Sequence, residues 1–455
     1  MDVELLVIGG GAGGIGAAQA AARRRARVLL VQEGPIGGDC TFTGCVPSKA
    51  LLAASASGAS FSDAMARVGA AVATIAANED DDAMAALGIS VRHGWAVLRD
   101  ARHVEIDGAV VEAARVVLAT GAAPVVPNIP GLADIDPLTN ETLFALTTQP
   151  RSMAVLGGGP IGSEMAQAFA RLGTKVTLVE ALDRLLAKEE PEASAVVHRA
   201  LSADGVDVRT GTTLERVEST TAGARLHLSA GAPLDVERVL VAVGRRAVTS
   251  GLGLEAAGVQ LDDHGFIRTD DTMATTAKGI YAVGDVTGRL PFTHAAARMG
   301  MIAATNALSA PRRLRPQRFD TSAIPWVTFT DPEVGHVGMT EAEAAAHGGR
   351  VAEVPYEALD RAIASGRTDG YFKLIAGPRR WLGHAAGGRV LGATAVGPAG
   401  GELVHEVALA MRTGMFAGRL AQTVHAYPSW SMAVQMAAGQ LFFEVDGRGH
   451  RPARA

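Results

Sequence analysis

Residues 3–14 read VELLVIGGGAGG, and this stretch decides the fold. VELLVI is a short apolar run suited to a buried parallel strand. Gly9, Gly11 and Gly14 supply a G-x-G-x-x-G turn; residues 15–26 (IGAAQAAARRRA) then read as a helix and 27–33 (RVLLVQE) as a second strand. Glycines in those places permit a tight turn and let the backbone approach a pyrophosphate, which rests on the helix N-terminus. One such motif has a bland alternative, a glycine-rich turn. The motif returns, however: MAVL (153–156), Gly157, Gly159 and Gly162 in the same register, SEMAQAFARLG (163–173) and TKVTLVE (174–180). Two strand–glycine–helix–strand units in one chain predict two bound dinucleotides, and hence electron or hydride transfer between them.

The ends of the second strands sort the two sites. Glu180 stands where a carboxylate bonds the adenosine ribose 2′-hydroxyl and repels a 2′-phosphate, which favours NADH over NADPH. Arg184, just beyond, works against that preference. In the first unit the strand ends Gln32-Glu33, and the sequence leaves open which side chain meets a ribose. VVLATG (116–121) reads as a strand ending in a turn at Gly121, and IYAVGD (280–285) repeats the logic, setting Asp285 at the C-terminal edge where ligands bind in open α/β sheets.

The chain has 455 residues, of which 48% are hydrophobic and 20% charged, enough for about three domains with real cores and incompatible with a disordered protein. A net charge of −5 argues against a generally basic nucleic-acid binder. Alanine-rich stretches are broken by charge, as by Asp63 and Arg67 in SASGASFSDAMARVGAAV (55–72), and none reaches the ~18 apolar residues of a membrane helix. With no basic leader before the first strand, a cytoplasmic protein without membrane or nucleic-acid partners is expected. Glu79-Asp80-Asp81-Asp82 reads as a solvated turn and PRRLRPQR (311–318) as a basic surface linker. From about Phe319, β-rich pieces followed by helices predict a separate α+β domain.

The only two cysteines, Cys40 and Cys45, lie in GGDCTFTGCVPSKALL (37–52). A bridge across so short a loop adds little chain entropy, so a structural disulfide is the poorer explanation. Pro47 and Ser48 suit a helix start, putting Cys45 at a helix N-terminus where the dipole favours a thiolate. A favoured thiolate beside a second thiol is the layout of a redox-active pair.

These segments, together with VVLATGAAPVVPNIPG (116–131), VLGGGPIGSEMAQ (155–167), VAVGRR (241–246), GIYAVGDV (279–286), FTDPEVGHVGMTEAEA (329–344) and GRVLGATAVGPAGGEL (388–403), resemble the class I pyridine nucleotide–disulfide oxidoreductases. Glutathione reductase, dihydrolipoyl dehydrogenase and mercuric reductase belong to that family. The resemblance implies an α/β chain of two Rossmann-like domains and a C-terminal α+β dimerisation domain: 1–148 and 269–318 for FAD, 149–268 for NAD(P), and 319–455 for the interface. It implies that Gly9, Gly11, Gly14, Gly121 and Asp285 serve FAD, that Gly157, Gly159, Gly162, Glu180 and Gly244 serve the cofactor sites, and that Lys49 and Glu164 pair beside the flavin. Electrons would pass from NADH through FAD to a Cys40–Cys45 disulfide, with Cys45 next to the flavin and Cys40 attacking substrate. The expected partners are a second copy sharing the active site and a small-molecule or protein disulfide, or another two-electron acceptor. No metal site is expected.

One departure stands out. Where the family carries its catalytic histidine and orienting glutamate, this chain has Tyr427 and Met432, while His425 matches an upstream family histidine. Tyrosine, with a pKa near ~10, donates protons and is a poor base, so Tyr427 is expected to be a proton donor or substrate anchor. Mercuric reductases share the tyrosine but deliver metal with a further C-terminal cysteine pair, which GRGHRPARA lacks. Alternatives are a dihydrolipoyl dehydrogenase-type component, a mercuric or quinone reductase, and a non-enzymatic flavin redox sensor. Phe42 and Trp430 are read as packing across the dimer interface, with an aromatic wall for a planar or hydrophobic substrate as the alternative.

Overall fold

The apolar run at the N-terminus is a strand, Val3–Ile8, lying parallel between Val28–Gln32 and Ala109–Leu118. The structure, a computed structural model, describes residues 2–309 and 315–455. Residues 311–314 of the expected linker lie outside the described residues. The chain forms two compact units, each assembled from separate stretches.

The first unit takes residues 1–128, 137–149 and 241–320. Its seven-stranded sheet adds Ile89–His93 beside Val28–Gln32 and Ile280–Ala282 beside Ala109–Leu118, all parallel, with an antiparallel edge of His103–Ile106 and Ala96–Leu98. Parallel strands covered on both faces are apolar throughout, which explains why Leu5, Leu6 and Val7 are fully buried. The helices Ala12–Ala22 and Thr293–Ala307 cross against one another at small residues: a Cβ on Gly300 would stand 2.1 Å from the Gly13 carbonyl oxygen. Residues 241–268, assigned from sequence to the pyridine-nucleotide segment, cluster here instead. The strand Arg245–Ala247 pairs with Ala122–Pro124, and Leu252, Leu254, Val259 and Ile267 join the core beneath the sheet.

The second unit takes residues 129–136, 150–240 and 321–455. Its four-stranded sheet orders Asp207–Arg209, Lys175–Val179, Ser152–Leu156 and Arg238–Val241, beside a three-stranded meander from Leu214 to Val236. A six-stranded antiparallel sheet then carries the C-terminal core, with Val404 and Val407 of one helix and Ala433 to Ala438 of another packed on it. Trp430 lies 5.3 Å from the buried ring of Tyr356, ring centre to ring centre, and so packs on the core of its own chain.

Lys373, in the fully buried strand Tyr371–Gly377, is the costliest residue of that core. Burial opposes its charge, but Glu190 at 3.3 Å, Glu341 at 3.0 Å and Glu192 at 3.3 Å outweigh that and raise its pKa. Glu190 and Glu341 are themselves buried; Glu341 keeps its pairing with Arg451, so removing the lysine strands the Glu190 carboxylate. Lys373→Met should cost about 3–5 kcal/mol, lowering the thermal midpoint of this unit by roughly 10 °C in a calorimetric scan.

Candidate active site

Each glycine turn is built by backbone contact. A Cβ on Gly14 would fall 1.8 Å from the Gly9 carbonyl oxygen, and one on Gly162 equally close to that of Gly157. Gly9 and Gly157 have φ of 107° and 102°, a region that favours glycine. The middle glycines face open space: a Cβ on Gly11 meets only the Gly38 Cα at 3.9 Å, and one on Gly159 nothing within 4 Å. The outer glycines thus close the turn, and the middle one leaves the helix N-terminus bare for a phosphate. The strand-end residues match as well. Gln32 Oε1 accepts from the Gly10 N–H at 2.6 Å, and Glu180 Oε2 from that of Gly158 at 2.5 Å. Gln32 therefore stands in the first unit where Glu180 stands in the second, while Glu33 is exposed. Arg184 is turned back, donating to the Ala187 carbonyl at 2.8 Å.

Cys40 sits in the short helix Gly38–Phe42, and Cys45 is the first residue of the helix Cys45–Ala56. Both are thiols, Cys40 half-buried and Cys45 exposed. Cys45 Sγ lies 3.3 Å from Thr293 Oγ1 at the start of the crossing helix. A hydrogen bond with Cys45, burial and the charge of Cys45 push the Cys40 thiol far above its ordinary range, against a smaller opposing bond from Thr293. The Cys40 loop is tied at several points. Asp39 is ion-paired with Arg245, Asn140 Nδ2 donates to the Thr43 carbonyl at 3.3 Å, and Thr41 Oγ1 donates to Glu79 at 2.7 Å.

Arg245 gathers further groups. It also donates to the Ala122 carbonyl, and its Nε, 3.8 Å from Asp285, is buried without a hydrogen-bond partner. Burial raises the pKa of Asp285 while Arg245 restrains it. Gly121 and Gly244 each precede one strand of the Ala122–Pro124/Arg245–Ala247 pair, with φ of 73° and 148°. Lys49 Nζ donates to Ser48 Oγ at 3.3 Å in the first unit; in the second, the buried Glu164 accepts from the Phe329 N–H at 2.9 Å.

Tyr427 is 70% exposed, and its hydroxyl donates to Asp360 Oδ2 at 2.9 Å. That bond and the carboxylate charge raise its pKa above the usual ~10. The single phenolic proton is committed to Asp360, which competes with the expected donation to substrate. His425 is held by Glu406 at 3.1 Å and by the Thr423 carbonyl at 2.9 Å. Met432 opens the helix Met432–Gln440.

The profile of the pyridine nucleotide-disulphide oxidoreductases matches residues 3–300, and that of their dimerisation domain residues 324–438. A mercuric reductase of Streptomyces lividans is 35% identical over 97% of each chain, and a dihydrolipoyl dehydrogenase of Chlorobaculum parvum 36% over 96% of each. Among solved structures, the HOCl-induced flavoprotein disulfide reductase RclA of Escherichia coli superposes with a TM-score of 0.86 at 28% identity, covering 96% of this chain and 99% of RclA. The chain belongs to the pyridine nucleotide-disulphide oxidoreductase family. It is an FAD-dependent enzyme that uses a pyridine nucleotide and carries a dimerisation domain. Among the described residues no helix is long and apolar enough to cross a membrane.

The first unit fits the flavin nucleotide that the family requires: an open middle glycine at a helix N-terminus, a half-buried acid at Asp285, and an orphaned buried N–H on Arg245. Sequence reasoning passed over Asp39, Thr293, Arg245 and Asp360. Arg245 was in plain view inside VAVGRR, and Thr293 at a helix start; the partners of Asp39 and Asp360 are remote in sequence and left no local signal. The two glycine turns separate experimentally. Gly14→Ala should yield protein depleted of FAD, whereas Gly162→Ala should keep its flavin absorbance and raise KM for the reduced nicotinamide at least about tenfold.

Proposed function

We propose that the enzyme oxidises NADH in preference to NADPH and passes the electrons through Cys45 and then Cys40 to a disulfide or related two-electron acceptor. The observation that carries this reading is the asymmetric thiol pair: Cys45 exposed at a helix N-terminus against Thr293, and Cys40 half-buried in the short helix before it. When bound, FAD supplies the isoalloxazine that takes hydride from the nicotinamide and hands on two electrons. Gly9, Gly11, Gly14, Gln32, Gly121 and Asp285 would hold it, with Gly157, Gly159, Gly162 and Glu180 on the nicotinamide side; Gly244, before the strand paired with that of Gly121, would serve a cofactor site as well. Lys49 and Glu164 keep the roles that the family pattern implies, as do 1–148 and 269–318 for FAD, 149–240 for NAD(P) and 319–455 for the interface, with 241–268 joining the FAD side.

The sulfur chemistry runs in two exchanges. Cys40 loses its proton and attacks one sulfur of R–S–S–R′; a Cys40–S–R bond forms as the S–S bond breaks, and R′S⁻ leaves and is protonated. The Cys45 thiolate then attacks the Cys40 sulfur, forming the Cys40–Cys45 disulfide and releasing RS⁻. The acceptor gains the two electrons that the dithiol loses. Tyr427 of the partner subunit would face this step in a homodimer, its oxygen offered as a hydrogen-bond acceptor because its proton is engaged by Asp360. The resemblance implies a tyrosine here for mercuric reductases too, but Cys40 and Cys45 are the only cysteines of this sequence, which leaves no second pair to deliver a metal ion. We place the enzyme in the cytoplasm, where NADH is replenished.

Anaerobic single-turnover mixing tests the route. NADH should bleach the flavin and expose two titratable thiols, mapped to Cys40 and Cys45, which a disulfide then consumes; bleaching without new thiols overturns it. Tyr427→Phe should slow only the disulfide half-reaction, by at least about tenfold. Coenzyme preference rests on Glu180, whose charge faces a 2′-phosphate. Glu180→Gln keeps the bond to Gly158 and should raise kcat/KM for NADPH roughly tenfold, with little change for NADH.

A further inference from the structure

The acidic run 79–82 is not uniform. Asp80 caps the helix Asp81–Ala86 by accepting from the Ala83 N–H at 2.8 Å, and Asp81 meets His93 at 2.9 Å, both at the surface. Glu79 turns the other way. It is half-buried, and its Oε2 accepts from the hydroxyl of Thr41, which is 2% exposed and directly follows Cys40. The chain has made room for this carboxylate. A Cβ on Gly37 would stand 2.8 Å from Glu79 Oε2, 2.9 Å from Thr41 and 3.0 Å from Phe42. Cys40 is thus flanked by two anchored neighbours, Asp39 on Arg245 and Thr41 on Glu79. The first anchor is a neutralised ion pair; the second brings a negative charge whose bonded partner is a neutral hydroxyl.

We propose that Glu79 is the positioning residue of the substrate-side thiol: through Thr41 it fixes the turn that carries Cys40, and it sets a carboxylate beside that turn. The inference rests on the reading of Cys40 as the attacking thiol. The groups that bear on Cys40 are Cys45, Glu79 and the Asp39–Arg245 pair, together with the Thr293 hydroxyl. Contact with Cys45 and burial account for most of its resistance to ionisation, and Glu79 adds in the same direction. The chemical benefit is selectivity. A thiol reacts with oxidants far more slowly than a thiolate, so the reduced enzyme is spared idle turnover between acceptors.

The test is alkylation of the NADH-reduced holoenzyme by iodoacetamide across a pH series, with the label mapped by mass spectrometry. Glu79→Gln keeps an oxygen for Thr41 to bond and removes the charge. It should shift the midpoint of Cys40 labelling to lower pH and speed labelling at neutral pH at least about threefold. Iodoacetate, being anionic, should gain more than iodoacetamide. Thr41→Val removes the tether and leaves the charge. Its labelling midpoint should stay within about 0.3 of the parent, while turnover with a small disulfide such as cystamine falls several-fold. An unchanged midpoint in Glu79→Gln, with flavin content intact, overturns the proposal. Labelling of Cys45 in place of Cys40 in the parent enzyme would instead overturn the thiol assignment beneath it, and the two failures are told apart by the mapped residue.

Discussion

Two helices that meet backbone to backbone organise the first unit. Gly13 and Gly16 of Ala12–Ala22 press on Ala297 and Gly300 of Thr293–Ala307, with an added Cβ on Gly16 only 2.7 Å from the Ala297 carbonyl oxygen. The obstacles are main-chain atoms, so no repacking of side chains could relieve a larger residue. This crossing ties the start of the glycine turn to the start of the second helix, where Thr293 meets Cys45. Nucleotide turn and thiol are therefore set by one rigid contact, and the sheet beneath supplies the floor.

On that frame the two sulfurs are treated differently by their surroundings. Cys45 stands at a helix N-terminus with a hydroxyl at 3.3 Å, and Cys40 is half-buried among groups that oppose its ionisation. The pair thereby acquires a direction, one sulfur suited to holding charge and the other to holding a proton until exchange. In the second unit, Tyr427 is bonded to Asp360 at the position where the family resemblance implies a histidine base. Its chemistry differs because a phenol that already donates its proton can only accept.

What could be read in advance follows from where each constraint lives. Gly9, Gly14, Gly157 and Gly162 answer to the backbone within a few residues, so their spacing alone announced both turns. Cys45 at a helix start was legible for the same reason, from Pro47 and Ser48 nearby. The choice between Gln32 and Glu33 needed the Gly10 N–H, which only the folded turn presents. Glu79 was read as solvated because its three neighbours are; its inward turn depends on Thr41 and on the missing side chain of Gly37. Residues 241–268 followed the preceding segment in the chain but not in space, since their apolar side chains complete the core of a sheet begun at Val3. Pairings between distant segments, such as Tyr427 with Asp360, carry no periodicity and no motif.

The interleaving of the chain also bears on its synthesis. The first unit is begun by residues 1–128 and completed only by 241–320, with most of the intervening stretch belonging to the other unit. At a ribosomal pace of roughly 5–20 residues per second, the first glycine turn waits on the order of ten seconds or more before Gly300 exists to pack against it. Until then Ala17 and the glycines beside it have no cover from that helix, and the nascent chain depends on chaperones or on provisional contacts to keep that face from water.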